Sequence, residues 1–351
     1  MSRAFRFLRS HPKLCLFLLT PGIVEYLSGS SPLYFLVLSP FTFAYQIGVN
    51  AGLYLPGALL IREASIRWEK GWGSVLLMGA AYGILEEGLA LETIFNPKAA
   101  IYISGGLQSY GRWLGVSWVW AAEVVPVHMV FSIAVPILLL GLALPETRGT
   151  SLLGSRRSLV TATAVLCLDV LFGLFVQAHV GHVWMGLPLF ALSVSAIVVL
   201  VIAARLAPLG LIRATSEGPR ICPLLAGVLG ALSYSSVVLE VYGGNMLNLP
   251  AAASAVSIVV TLSVFLFCAL RLLGQKKNER QLIAFSFGLI LPFMVVGAAE
   301  QIRFPLVLGA DAVAFLFFRK LWLKYGAGSI LEVSIPEEKP ALTPSPSGNL
   351  A

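Results

Sequence analysis

Two adjacent glutamates, Glu86 and Glu87, interrupt an otherwise apolar run, and His128 interrupts a later one. Carboxylates and an imidazole exchange protons readily, so these residues are candidates for general acid–base work, proton relay or metal ligation. An ionisable group within hydrocarbon costs about 3 kcal/mol at a helix centre and therefore tends to face a cavity. Neighbouring helix positions point about 100° apart, which lets one glutamate face a cavity while the other meets an adjoining helix. Two carboxylates so close do not both keep a charge in a dry site, so one of them holds a proton. The same residues also permit a packing role, as a neutral hydrogen-bonded pair supported by the small faces of Gly79, Gly83 and Gly88.

The elements that must position these groups read as membrane helices. Apolar residues fill 58% of the 351 positions and charged residues 12%, with a mean hydropathy of +0.87; soluble domains hold about 45–50% and 25%. Runs approaching the roughly 20 residues that a span needs fall near 14–28, 32–61, 74–95, 116–144, 158–178, 183–205, 222–241, 251–273, 281–297 and 304–322. We expect an all-α, polytopic transmembrane bundle of about ten spans over residues 1–325, with its core site in 74–95 and 116–144. Pro40, Pro126 and Pro136 are expected kink points, because proline removes a backbone donor. Pro21, Gly22 and Glu25 break the first run and no small-residue cleavage site follows, so it reads as a retained span rather than a signal peptide. Residues 326–351, rich in Gly, Ser, Pro and charge, cannot bury a core and read as a disordered cytoplasmic tail.

Charge placement tests the threading. The 24 Lys and Arg exceed the 17 Asp and Glu, a net +7 that alone would suit nucleic acid or an anionic membrane. All but Lys98, Arg112 and Arg303 fall at every second connection or in the tail, the pattern by which positive charge marks cytoplasmic loops. We therefore expect both termini in the cytoplasm, a multi-pass protein of the cell membrane with the lipid bilayer as its partner, and no nucleic-acid binding. The four cysteines have no paired spacing for a disulfide or a metal clip.

On this threading His128 lies at a depth comparable to Glu86 and Glu87, so neighbouring helices would bring the three together. Glu92, Glu123, His179, His182 and Asn245 gather on the outer side as supporting candidates. His179 and His182 would share a face on a continuous helix, unless Gly181 ends it and leaves exposed turn histidines. Glu25 and Asp169 are isolated acids without a visible partner, and Arg62 with Glu63 reads as a boundary pair. Trp113, Trp118 and Trp120 read as an interfacial belt.

The Glu86-Glu87 pair, followed by His128 in the next helix, resembles the CAAX prenyl endopeptidase and bacteriocin-processing family of intramembrane proteases. That family's motifs are Glu-Glu-x-x-x-Arg, Phe-x-x-x-His and His-x-x-x-Asn or Asp. The resemblance implies a water activated by Glu86 or Glu87 with His128, a third member best represented by His182, and a membrane peptide or protein as substrate. Leu91 stands where the motif Arg belongs, Val124 where Phe belongs, and Gly186 where Asn or Asp would follow His182. The stretch 58–144 also resembles a group of uncharacterised multi-span prokaryotic proteins. Three functions fit these residues: a glutamate/histidine peptidase, a proton-coupled carrier, or a non-catalytic scaffold. The sequence names no cofactor and does not decide whether a metal is bound.

The threading makes a direct prediction. A reporter fused after Arg148 should be active only if it reads the cytoplasm, and one fused after Val180 only on the opposite side. Equal reporter activity at both positions would break the alternation.

Overall fold

The computed structural model describes residues 3–97, 107, 110–208, 221–273, 279–301 and 306–326. The tail expected over 326–351 lies outside these residues except for Gly326, as do Lys98, Arg213, Arg220, Lys276, Lys277, Arg303 and Lys339.

The described chain is helical apart from one small hairpin. In order it forms α1 (Arg3–Ser10), α2 (Pro12–Pro21), α3 (Phe35–Leu38), α4 (Pro40–Arg67), α5 (Trp72–Ile84), α6 (Trp118–Val127), α7 (Val135–Ala143), α8 (Arg156–His179), α9 (Leu187–Leu206), α10 (Pro223–Met246), α11 (Ala251–Leu273), α12 (Glu279–Glu300) and α13 (Leu306–Lys324). Strands β1 (Arg112–Trp113) and β2 (Val116–Ser117) pair antiparallel. Their turn, Leu114-Gly115, takes positive φ at both positions, as tight two-residue hairpins require. Arg112 fixes this hairpin to the end of the preceding helical stretch by donating to the carbonyls of Phe95 and Gly115.

By length and composition, six helices among the described residues can cross a membrane: Trp118–Ala143, Arg156–His179, Leu187–Leu206, Pro223–Met246, Ala251–Leu272 and Glu279–Ala299. The other four apolar runs are also helical, but shorter or more polar. The 14–28 run stays helical from Pro12 to Tyr26, passing into a π-turn after Pro21, and the 32–61 run breaks at Ser39. Pro40 therefore does not kink a helix; it opens one, at the position where its missing N–H is harmless.

Burial separates centre from periphery. Half of the Trp118–Ala143 window and 56% of Glu279–Ala299 lie inside the protein, against 6% for Arg156–His179 and 11% for Leu187–Leu206. The last two therefore present apolar side chains outward, to the surface that lipid covers in a membrane protein. The main core joins α2, α4, α5, Trp118–Ala143 and α12 through Leu16, Tyr54, Ala58, Ile133, Leu139 and Ile290.

Among the described residues three helical stretches contain π-turns: Gly22–Tyr26 after α2, Leu85–Ala90 after α5, and His128–Ala134 between α6 and α7. Each is marked by an N–H reaching five residues back, from Leu27 to Gly22, from Leu91 to Glu86 and from Val135 to Val130. Proline accounts for two of them locally. Pro21 immediately precedes the first, and Pro126 and Pro136 flank the third, where Pro136 has no N–H to continue the regular ladder.

Ends of helices are tied by charge. Arg62 and Glu63 do not pair with each other, because adjacent helix positions diverge by about 100°. Arg62 instead donates to the Thr147 carbonyl, while Glu63 accepts from Arg67 at 2.7 Å, Ser151 at 2.6 Å and the Leu153 N–H at 3.2 Å. The last carbonyls of α7, at Leu142 and Ala143, both accept from Lys324 Nζ at 3.0 Å, and Leu142 also accepts from Tyr325.

α5 approaches the Trp118–Ala143 helix through glycine. A Cβ on Gly79 would stand 3.1 Å from Cα and O of Met129, and one on Gly83 would stand 2.8 Å from the Val125 carbonyl oxygen and 3.3 Å from His128 Cβ. Gly83→Ala should lower the thermal stability of the purified protein by about 1–3 kcal/mol. Gly73→Ala, where nothing lies within 4 Å of the added methyl, should be neutral or slightly stabilising through helix propensity. Equal melting temperatures for the two variants would remove the close approach as a constraint.

Candidate functional site: a buried carboxylate–histidine centre

The close approach of α5 puts the Leu85–Ala90 π-turn beside the His128–Ala134 π-turn. Glu86, Glu87 and His128 are 1%, 6% and 4% exposed, so the site is sealed from bulk water. His128 stands between the two acids. Its Nε2 is 2.8 Å from Glu87 Oε1, and its Nδ1 is 2.9 Å from both Ser132 Oγ and Glu86 Oε2. Nδ1 is well aligned only with Ser132, which lies one turn further along the same helix. Glu86 Oε2 therefore has an electrostatic contact but no hydrogen bond. Nε2–H can donate to Glu87 and Nδ1–H towards Ser132, so a doubly protonated ring fits these partners.

A second layer of polar groups orients the first. The other oxygen of Glu87, Oε2, accepts from Thr93, and Thr93 Oγ1 in turn accepts from Trp120 Nε1 at 3.1 Å. Trp113 and Trp118 are exposed, as an interfacial belt requires, but Trp120 is half-buried and belongs to the site. Rings enclose the imidazole: Tyr54 lies 6.3 Å away at 23° and Tyr82 6.4 Å away at 60°, centroid to centroid.

Two acids that look isolated in the sequence converge here. Glu25, in the first π-turn, accepts from Tyr54 through Oε1 and from Ser31 at 2.7 Å through Oε2, and it lies close enough to Glu86 and His128 to interact with both charges. Asp169 reaches in from α8, packed so tightly on α4 that a Cβ on Gly52 would stand 2.6 Å from its Cγ. It feels the charge of Glu86, and its Oδ2 is buried without a hydrogen bond. Carboxylates from two π-turns thus interact with one histidine, and Asp169 of α8 interacts with Glu86. Among the described residues no Lys or Arg forms an ion pair with any of the four.

The remaining sequence candidates lie elsewhere. α8 ends at His179, whose Nδ1 lies 3.1 Å from the Phe175 carbonyl and whose ring stacks on Phe175. His182 follows in a turn at φ +50°. Both are exposed, and neither joins the cluster. Glu92 is fully buried at the end of the α5 stretch, against the Met185 backbone. Glu123 is buried on a different face of α6, and Asn245 is half-buried in the last turn of α10.

One oxygen of each glutamate and one nitrogen of His128 all lie within 4.8 Å of one another, and this is the group of described residues placed to hold a metal ion. Two carboxylates and an imidazole are a suitable donor set for a divalent cation. The same geometry also holds a proton without any metal.

Comparison with curated proteins finds no match, and comparison with solved structures finds none either. The profile of one family does match, over residues 14–331, a range that takes in every helix from α4 to α13 and the whole carboxylate–histidine centre. This chain belongs to that family, an uncharacterized membrane protein family.

Proposed function

We propose that the protein is a proton-coupled carrier whose coupling site is the buried Glu86–Glu87–His128 centre, extended by Glu25 and Asp169. One observation carries the reading: Glu86 and Glu87 flank one buried histidine, Glu25 and Asp169 both feel the charge of Glu86, and among the described residues no Lys or Arg pairs with any of the four. One imidazolium cannot balance four carboxylates in a medium of low dielectric. The remaining charge is neutralised by protons or by a cation, so occupancy by such an ion is built into the folded site. Ionisable residues held inside a helical membrane protein commonly serve ion or proton translocation, and π-turns concentrate at functional positions. Here the π-turns carry Glu25, both glutamates and His128.

The coupling can be measured before the cargo is identified. Infrared titration of the protein in nanodiscs should show a carboxylic-acid C=O band at neutral pH that weakens in Glu86→Gln and in Asp169→Asn. Absence of that band, with no bound metal by elemental analysis, would leave the surplus charge unaccounted for and end the reading. In currents recorded from proteoliposomes challenged with panels of cations, amines and amino acids under a pH gradient, Glu86→Gln/Glu87→Gln should suppress the response by roughly 100-fold or more. A current that survives the double replacement would likewise exclude this centre as the coupling site.

A second reading, a glutamate/histidine peptidase, is favoured by the 2.8 Å contact between Glu87 and His128, the geometry of a base and its partner. Against it, His182 is exposed outside the cluster and leaves the proposed chemistry without its third member. Incubation with a membrane-peptide library should give no cleavage above that of Glu87→Gln. Cleavage by the wild type that disappears in Glu87→Gln and His128→Ala would replace the carrier reading with the hydrolytic one.

A further inference from the structure

A cavity of about 510 Å³ lies on the side of the Trp118–Ala143 helix that does not carry the carboxylate–histidine centre. His128 and Ser132 face the acids, whereas Glu123, Pro126, Val130 and Phe131 of the same helix face the cavity, whose other walls come from α10, α11 and α12, with Trp72 and Leu76 from the start of α5. The size falls within the roughly 300–1,000 Å³ of small-molecule sites. The walls are hydrocarbon and aromatic almost throughout. The rim includes Trp118 and Val259, both exposed, so the cavity opens on the apolar surface of the bundle rather than into a polar loop.

Polar side chains break that lining at Glu123, Ser233, Tyr234, Ser263 and Ser286; Ser233 and Ser263 donate to the Leu229 and Val259 carbonyls, whereas Glu123 Oε2 and Ser286 Oγ lack partners. Glu123 is 4% exposed and its Oε2 accepts no hydrogen bond; Ser286 is fully buried and its Oγ makes none. A buried carboxylate in an apolar wall without a donor is costly, and a ligand that supplies the donor relieves that cost. We infer that this cavity binds a single-chain amphiphile from the bilayer, its hydrocarbon tail against the apolar walls and a hydrogen-bond-donating head, hydroxyl or ammonium, on Glu123. This site goes beyond the carrier reading and does not depend on it, because its ligand never touches Glu86, Glu87 or His128.

The test uses the full-length protein in nanodiscs and two probes, a long-chain alcohol and a long-chain amine, each with a photoreactive diazirine in the tail. Labelled peptides are mapped by mass spectrometry. Label is expected to concentrate within residues 118–138 and 282–289 and to be displaced by excess of the same amphiphile without the diazirine. Glu123→Leu should lower labelling by both probes about tenfold, the loss of one strong hydrogen bond. Glu123→Gln keeps an acceptor of the same shape but removes the charge, so it should spare the alcohol and weaken the amine; loss of both probes alike would overturn recognition of the head by this side chain. Glu123→Gln also serves if the leucine variant does not fold. Label spread evenly over the lipid-facing α8 and α9 would overturn the site. Cavity label unchanged in amount for both probes by Glu123→Leu would overturn the assigned head recognition.

Discussion

The contact on which the rest of this structure depends is the approach of two backbones. With hydrogens at Gly79 and Gly83 where other residues carry a side chain, α5 lies directly on Val125 and Met129 of the neighbouring helix. Tight packing through small residues is the usual route to helix association where lipid removes the hydrophobic incentive. Glu86 and Glu87 follow Gly83 by one turn, and His128 follows Val125 by one turn on the other side. The separation of the helices therefore fixes the separation of the acids from the imidazole. Widening it by one methyl group would move the carboxylates out of hydrogen-bond reach, so the packing and the chemistry are the same constraint.

The π-turns act on that constraint. A regular helix presents successive residues at 100° intervals, and one added residue in a turn rotates every later side chain about the helix axis. Two consecutive glutamates thereby reach the same histidine from different sides, one at Nε2 and one at Nδ1. The arrangement leaves Ser132 and Thr93 to fix the ring and one carboxylate, while Glu86 meets the charge of His128 and the Tyr82 side chain.

The part of the site carried by unusual residues was legible in the sequence. Charged side chains within apolar runs singled out Glu86, Glu87 and His128, and the alternation of runs placed the last at a matching position on the next long helix. Glu25 and Asp169 were visible only as isolated acids, because their neighbours are set by how α2 and α8 pack and no spacing along the chain encodes that. The tyrosines and hydroxyls gave still less warning: Tyr54, Tyr82, Thr93 and Ser132 are ordinary in membrane helices until a partner is known. Gly52 on α4, where Asp169 must fit, likewise takes its meaning only from the packing. His182 drew notice by residue type alone, and the backbone beyond α8 carries it into an exposed turn. Helix count was least legible, since the early end of the first long stretch at Tyr26, the break at Ser39 and charge on α4 and α13 blur what apolarity defines.

The grip of Lys324 and Tyr325 on the end of α7 bears on how the protein is made. The last carbonyls of the helix that bears His128 find these donors 182 residues further along the chain. During synthesis that helix is complete long before its finishing contacts exist, and water or lipid headgroups must satisfy those carbonyls meanwhile. Its final seating waits for the last helix to emerge. The order of biosynthesis thus leaves the end of the His128-bearing helix without its protein donors until the last helix is made.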